Sequence, residues 1–117
     1  MKKIIILSCV FIFNSCHNHY LKIDKSCTCR FNAQAQVEFD KLIGTCEAYI
    51  YSGKANTATA QAVSELERIT SVQSEFILTS LGKLPTNKDI KNWKNWFKYH
   101  KYCLEWNEIN KKLSLCN

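Results

Sequence analysis

The chain has 117 residues, with 16 Lys and Arg against 10 Asp and Glu for a formal net charge of +6. That length holds one small domain and excludes two. Seven cysteines in so short a chain point to an exported, disulfide-permitting compartment. Intracellular nucleic acid is thereby excluded as a partner, and anionic lipid head groups or polysaccharide become the accessible counter-charges.

Lys2 and Lys3 open the chain and precede the apolar run IIILSCVFIF at residues 4–13. A helix needs about 20 apolar residues to cross a bilayer. A positive start followed by a short apolar run is instead the pattern of a secretory signal, removed on export, rather than a buried strand or helix. The ordinary cleavage site with small residues at two alternate positions is missing. In its place, Phe13-Asn14-Ser15-Cys16 resembles the lipobox of bacterial lipoproteins. Ser15 supplies the small residue before the cysteine, whereas Phe13 stands where Leu is usual. Ile6-Leu7-Ser8-Cys9 matches that box more closely but leaves too short an apolar core before it. The resemblance implies that residues 1–15 are removed and that Cys16 becomes a lipidated N-terminus. The mature chain would then be held in the cell envelope, with a secreted or periplasmic soluble form as the alternative. Acyl chains contribute about 0.8 kcal/mol per buried methylene, so two or more make a stable anchor.

Without the signal, 102 residues remain with a net charge of +4. Five thiols besides Cys16 are then candidates for disulfides: Cys27, Cys29, Cys46, Cys103 and Cys116. An odd number leaves one free, unless Cys16 is unmodified and all six close. Residues 17–26 (HNHYLKIDKS) carry no sustained period and read as a tether. The division is therefore a signal over 1–15, a lipidated cysteine and tether over 16–29, and one helical domain over 30–117.

From Phe31 the spacing becomes helical. Phe31, Ala35, Phe39, Leu42, Ile43, Cys46, Tyr49 and Ile50 share one face, with Asp40, Lys41, Gly44 and Glu47 off it. Ser52-Gly53 supplies the stop. A second helix is expected to be capped by Thr57 or Thr59. Its buried stripe is Ala62, Val63, Leu66 and Ile69, with Glu65, Glu67 and Arg68 outside. Phe76-Ile77-Leu78 and Leu81 read as a short helix or an extended piece, ended by Gly82 and Pro85. Thr86 and Asp89 resemble a capping box and open a helix with two arcs. Ile90, Trp93, Trp96, Phe97 and His100 form one, and Lys88, Lys91, Lys94, Lys98 and Lys101 the other. Alternation through Tyr102, Leu104 and Trp106, a polar break at 107–110 and then Leu113 and Leu115 predict a terminal hairpin. A register that sets Cys103 opposite Cys116 would let the two bridge its strands.

The segments Leu66-x-x-Ile69-Thr70, Pro85-Thr86-x-x-Asp89, Trp93-x-x-Trp96-Phe97 and Leu104-x-Trp106 resemble the C-terminal part of small uncharacterised exported bacterial proteins. They also resemble the signature of bacterial helical-repeat, HEAT-like proteins. The likeness covers roughly residues 60–106, with Ser71 where Gly is usual and only one repeat-sized unit. It implies a helix-pair packing unit and assigns no activity.

Chemistry-bearing clusters are few. Cys27-x-Cys29 with His17-x-His19 offers four ligands of a type that suits zinc or copper. Zinc sites, however, use C-x₂₋₄-C spacing, so structural disulfides are the expected use, with Cys46 a plausible partner. No metal or cofactor is expected. His100 among aromatic residues reads as a hydrogen-bonded core histidine. A catalytic His100 with Cys46 or Cys103 would require a low-pKa thiol and an orienting carboxylate. The lysine arc reads as a solvated face before a lipid or glycan surface, and Trp93 and Trp96 as core before a sugar platform.

The expected fold is mainly α: three to four packed helices with a short C-terminal β-hairpin. The expected function is non-enzymatic, a membrane-tethered interaction or envelope module with no catalytic residue. The alternatives are an inhibitor or immunity-type protein against a secreted enzyme or toxin, and a small enzyme dependent on Cys and His100.

Overall fold

The structure is a computed structural model and describes residues 30–75 and 77–116. The expectations for the signal, Cys16, the tether, Cys27, Cys29, His17 and His19 lie outside the described residues. So do those for the side chains of residues 76–78.

Helix α1 spans Ala33–Ser52. Asn32 caps it, its side-chain oxygen accepting from Ala35 N at 2.9 Å and so pairing a donor that the helix itself leaves unpaired. At the other end Gly53, at φ 70°, donates its N–H to Tyr49 O at 2.8 Å. The left-handed conformation at this position explains the glycine. Ala35, Phe39, Ile43 and Cys46 form the buried row, one residue every three or four, while Phe31 is exposed.

Helix α2 spans Thr57–Thr70, and its cap is Asn56, not a threonine. Asn56 accepts from Thr59 N at 3.0 Å while its own N–H donates to Thr59 Oγ1 at 3.3 Å, a reciprocal box. Thr59 thus serves the cap from inside the helix. The stripe Ala62, Val63, Leu66 and Ile69 is buried as expected. Glu67 is buried too, contrary to its expected place outside. The chain leaves α2 at Ser71, whose φ of 56° is a left-handed conformation costly to a residue with a Cβ.

Residues 77–84 form neither a helix nor a single extended piece but a tight hairpin of β1 (Ile77–Thr79) and β2 (Gly82–Leu84), with Thr79 opposite Gly82. The Thr79 hydroxyl donates to Gly82 O at 2.9 Å and accepts from Leu81 N at 3.2 Å, closing the turn.

Helix α3 spans Asn87–His100 and opens with the expected Thr86–Asp89 capping box. After a 3₁₀ turn at Lys101–Cys103, strands β3 (Leu104–Asn107) and β4 (Lys112–Leu115) form the terminal hairpin. Leu104 faces Leu115 and Trp106 faces Leu113. Cys116 N donates to Cys103 O at 2.8 Å, extending that register to the two cysteines.

The architecture is therefore mainly α, three helices among the described residues with a short C-terminal β-hairpin. α1 packs on α2, on α3 and against β3, while α2 carries β2. One core joins Phe39, Ile43 and Cys46 to Val63, Leu66, Ile69, Ile90 and Trp93, and is closed by Leu104 and Leu113 from the hairpin. Each such large apolar side chain stabilises the fold by about 1.5–3 kcal/mol on burial. Polar ties complete the join. Trp93 Nε1 donates to Val72 O at 3.1 Å, and Arg68 reaches Leu113 O at 2.7 Å while paired with Glu65.

Candidate functional site

The helical periods of α1 and α3 bring two rows of side chains together. Glu47, Ile50 and Tyr51 lie near the end of α1, one turn apart, and Asn87, Ile90, Lys91 and Lys94 lie along α3. They line an open cavity of about 460 Å³, within the range of small-ligand and side-chain pockets. Ile90, buried, and Ile50, half-buried, are its apolar members. Tyr51 is 94% exposed, the most exposed large hydrophobic residue among those described. Lys94 Nζ pairs with Glu47 at 3.0 Å across the rim, leaving Lys91 as an additional positive charge beside it.

In the lysine arc Lys88, Lys91, Lys94 and Lys98 are exposed, in accord with a solvated face, and Lys101 is half-buried; three members besides Lys94 have partners. Lys88 pairs with Glu75 at 2.7 Å, and Lys98 and Lys101 lie over the rings of Tyr99 and Tyr102. The opposite arc divides. Trp93 is fully buried, whereas Trp96, Phe97 and His100 are half-buried. Phe39 stacks on Phe97 at 4.8 Å and on Trp96 at 6.1 Å, and Trp96 stacks on His100 at 4.7 Å. His100 Nδ1 lies 2.9 Å from Trp96 O. A carbonyl can only accept, so Nδ1 carries the proton. His100 is thus a hydrogen-bonded member of an aromatic stack.

Cys46 corrects an expectation. It is a free thiol with no exposed surface, not a disulfide partner. Burial, with the negative charges of Asp89 and Glu47, pushes it up to about 12. Such a thiol is almost wholly protonated at neutral pH and unfit as a nucleophile. Cys103 and Cys116, both buried at the base of the terminal hairpin, are disulfide-bonded. The structure thus separates the three: Cys103 and Cys116 come together, and Cys46 stands in the core.

Asp89 and Glu67 are functional in another sense, as polar posts under the surface. Asp89, 1% exposed, accepts from Thr86 N and Glu75 N, both at 2.8 Å. Glu67 accepts from Ser74 N at 2.9 Å, from the Ser74 hydroxyl at 3.1 Å and from Lys83 at 3.2 Å. The capping pattern marks Asp89 in the sequence. Nothing local marks Glu67, whose partners lie seven and sixteen residues away.

Comparisons with family models, with curated proteins and with solved structures found no match to this chain.

Proposed function

We propose that the chain is an exported, lipid-anchored interaction module of the cell envelope, attached through Cys16 and without catalytic activity of its own. The observation that carries the binding role is the nearly fully exposed Tyr51 beside Ile50 and Ile90, with Lys91 and the Lys94–Glu47 pair at its side. An aromatic side chain at the lip of an apolar hollow is the composition of a protein-binding hot spot. The surplus positive charge selects a partner of opposite sign, an acidic protein segment that presents an apolar side chain to the hollow. An inhibitor or immunity-type protein would be one form of the same activity. A Cys- and His100-dependent enzyme is disfavoured by the suppressed ionisation of Cys46 and by the structural contacts of His100.

A photo-crosslinking aromatic residue at position 51 in the membrane-anchored protein tests this, with the same reporter at Ile109, 92% exposed, as control. The expected result is one adduct at 51 and not at 109. It should map to an acidic segment, weaken as salt rises and disappear with Lys91→Glu. Equal labelling at both positions, or an adduct indifferent to salt and to Lys91→Glu, would contradict it.

A further inference from the structure

Another hollow, sharing no residue with the one at Tyr51, lies where α1 and α2 meet the terminal hairpin. Its volume is about 210 Å³. Its apolar members are Leu42 from α1 with Trp106 and Leu113 from the hairpin. Trp106 and Leu113 stand opposite each other in register, so their side chains share one face of the hairpin. Leu113 is buried, whereas Leu42 and Trp106 are half-buried. Four charged side chains complete the lining: Glu38 and Lys41 of α1, Glu65 of α2 and Lys111 beside the hairpin turn.

Neighbouring contacts hold these groups in position. Trp106 Nε1 donates to Glu108 at 2.7 Å, and Lys111 pairs with the same carboxylate. Arg68 grips Glu65 through two nitrogens, at 2.6 and 3.2 Å, while donating to Leu113 O. Glu38 is the acceptor with capacity to spare. Its side chain is 18% exposed, and both of its described hydrogen bonds fall on Oε1, from Gln34 Nε2 at 2.7 Å and Lys41 Nζ at 3.1 Å. Its Oε2 is not a buried, unsatisfied atom, and it keeps its lone pairs for a ligand.

This composition selects the ligand. The two carboxylates and two ammonium groups of the lining sum to zero charge, and the flanking Arg68 and Glu108 cancel as well, so neither an anion nor a cation is preferred. A carboxylate only accepts hydrogen bonds and an ammonium only donates them, whereas a hydroxyl does both. A ligand bearing several hydroxyls therefore satisfies the whole rim. The indole and the two leucines require an apolar face on the same ligand. The volume lies below the roughly 300 Å³ at which drug-sized pockets begin, which suits a single ring. Pyranoses with every hydroxyl equatorial meet these demands together, because their axial C–H groups form a flat apolar face. We propose that the hollow holds one ring of a neutral, β-linked gluco-configured saccharide, its C–H face on the Trp106 indole and its hydroxyls on Glu38 and the lysines.

Saturation-transfer NMR on the full chain, in micelles of a detergent without a sugar head group, tests the site. The probes are methyl β-glucoside, cellotriose and triacetylchitotriose. At about 10 mM probe, a Kd of about 1 mM gives roughly 90% occupancy. The expected result is saturable transfer to axial C–H protons of the probes, lost in Trp106→Ala and reduced severalfold in Glu38→Ala. Trp106→Tyr keeps an aromatic face and Tyr51→Ala lies outside the hollow, so both are expected to retain it. Trp106 also packs on the core; if Trp106→Ala fails to fold, Glu38→Ala at the half-exposed rim carries the test, with a native amide spectrum as its control. No saturable transfer to any of the three probes, transfer that Glu38→Ala leaves unchanged, or transfer abolished by Tyr51→Ala would each overturn the proposal.

Discussion

Asp89 is the residue on which most local structure depends. Its two oxygens satisfy the backbone donors of Thr86 and Glu75, and a buried donor left unpaired costs about 1–3 kcal/mol. Asp89→Ala is therefore expected to destabilise by about 2–4 kcal/mol, measured as a lower urea midpoint, with Asp89→Asn milder because one oxygen survives. Cys46 makes a pH prediction. Its pKa in the folded chain is raised to about 12 from an ordinary 9.0. Stability from the neutral thiol is thus fully present below the unfolded value and is lost as pH climbs from about 9 toward about 12. Cys46→Ala should flatten that part of the alkaline unfolding curve. Native protein at pH 8 should resist iodoacetamide at this position and react in urea. At Ser71 the left-handed φ of 56° carries a penalty that glycine escapes, so Ser71→Gly is expected to stabilise by about 0.5–1 kcal/mol. A higher thermal midpoint would show it, and an unchanged or lower one would contradict the strain.

At the scale of elements, the β1–β2 hairpin is the least obvious part of the fold and the most exposed to single changes. Gly82 stands at φ 118°, and a Cβ there would lie 3.2 Å from the Ala60 Cβ. Gly82→Ala therefore meets both an unfavourable backbone and the face of α2. A loss of about 1–3 kcal/mol is expected, with amide exchange accelerated at Leu78, Lys83 and Leu84 before α1 is affected. The helices were legible because a buried row every three or four residues is a long, redundant signal; Phe39, Ile43, Leu66, Ile69 and Trp93 all lie where periodicity puts them. The terminal hairpin was legible from alternation and a polar break. The β1–β2 hairpin was not, since strands of three residues carry almost no period and Thr79 closes the turn through its side chain. The burial of Glu67 is illegible for a related reason: its partners Ser74 and Lys83 come from the loop and strand beyond α2, and helical position alone does not contain them. Asn56 is hard to single out as the cap because Thr57 and Thr59, also able to cap, follow within three residues.

In the whole molecule, the proposed binding role depends on what the packing of α1 against α3 leaves outside. Cys46 and Ile90 are buried while Tyr51, one helical turn past Glu47, stands in solvent beside Lys91. The lysine arc was readable from the sequence, but the hollow was not, because it exists only once two helices distant in the chain are set side by side. The N-terminal pattern, by contrast, needs no fold to be read: paired lysines, a short apolar run and Ser15-Cys16. The most direct measurement is the intact mass of the protein extracted from membranes, before and after reduction. The expected mass is that of a chain beginning at Cys16 with its acyl chains, gaining about 2 Da on reduction for each bridge that takes up two hydrogens. A chain that retains residues 1–15, or one that begins elsewhere without lipid and closes three bridges, would contradict the anchor at Cys16.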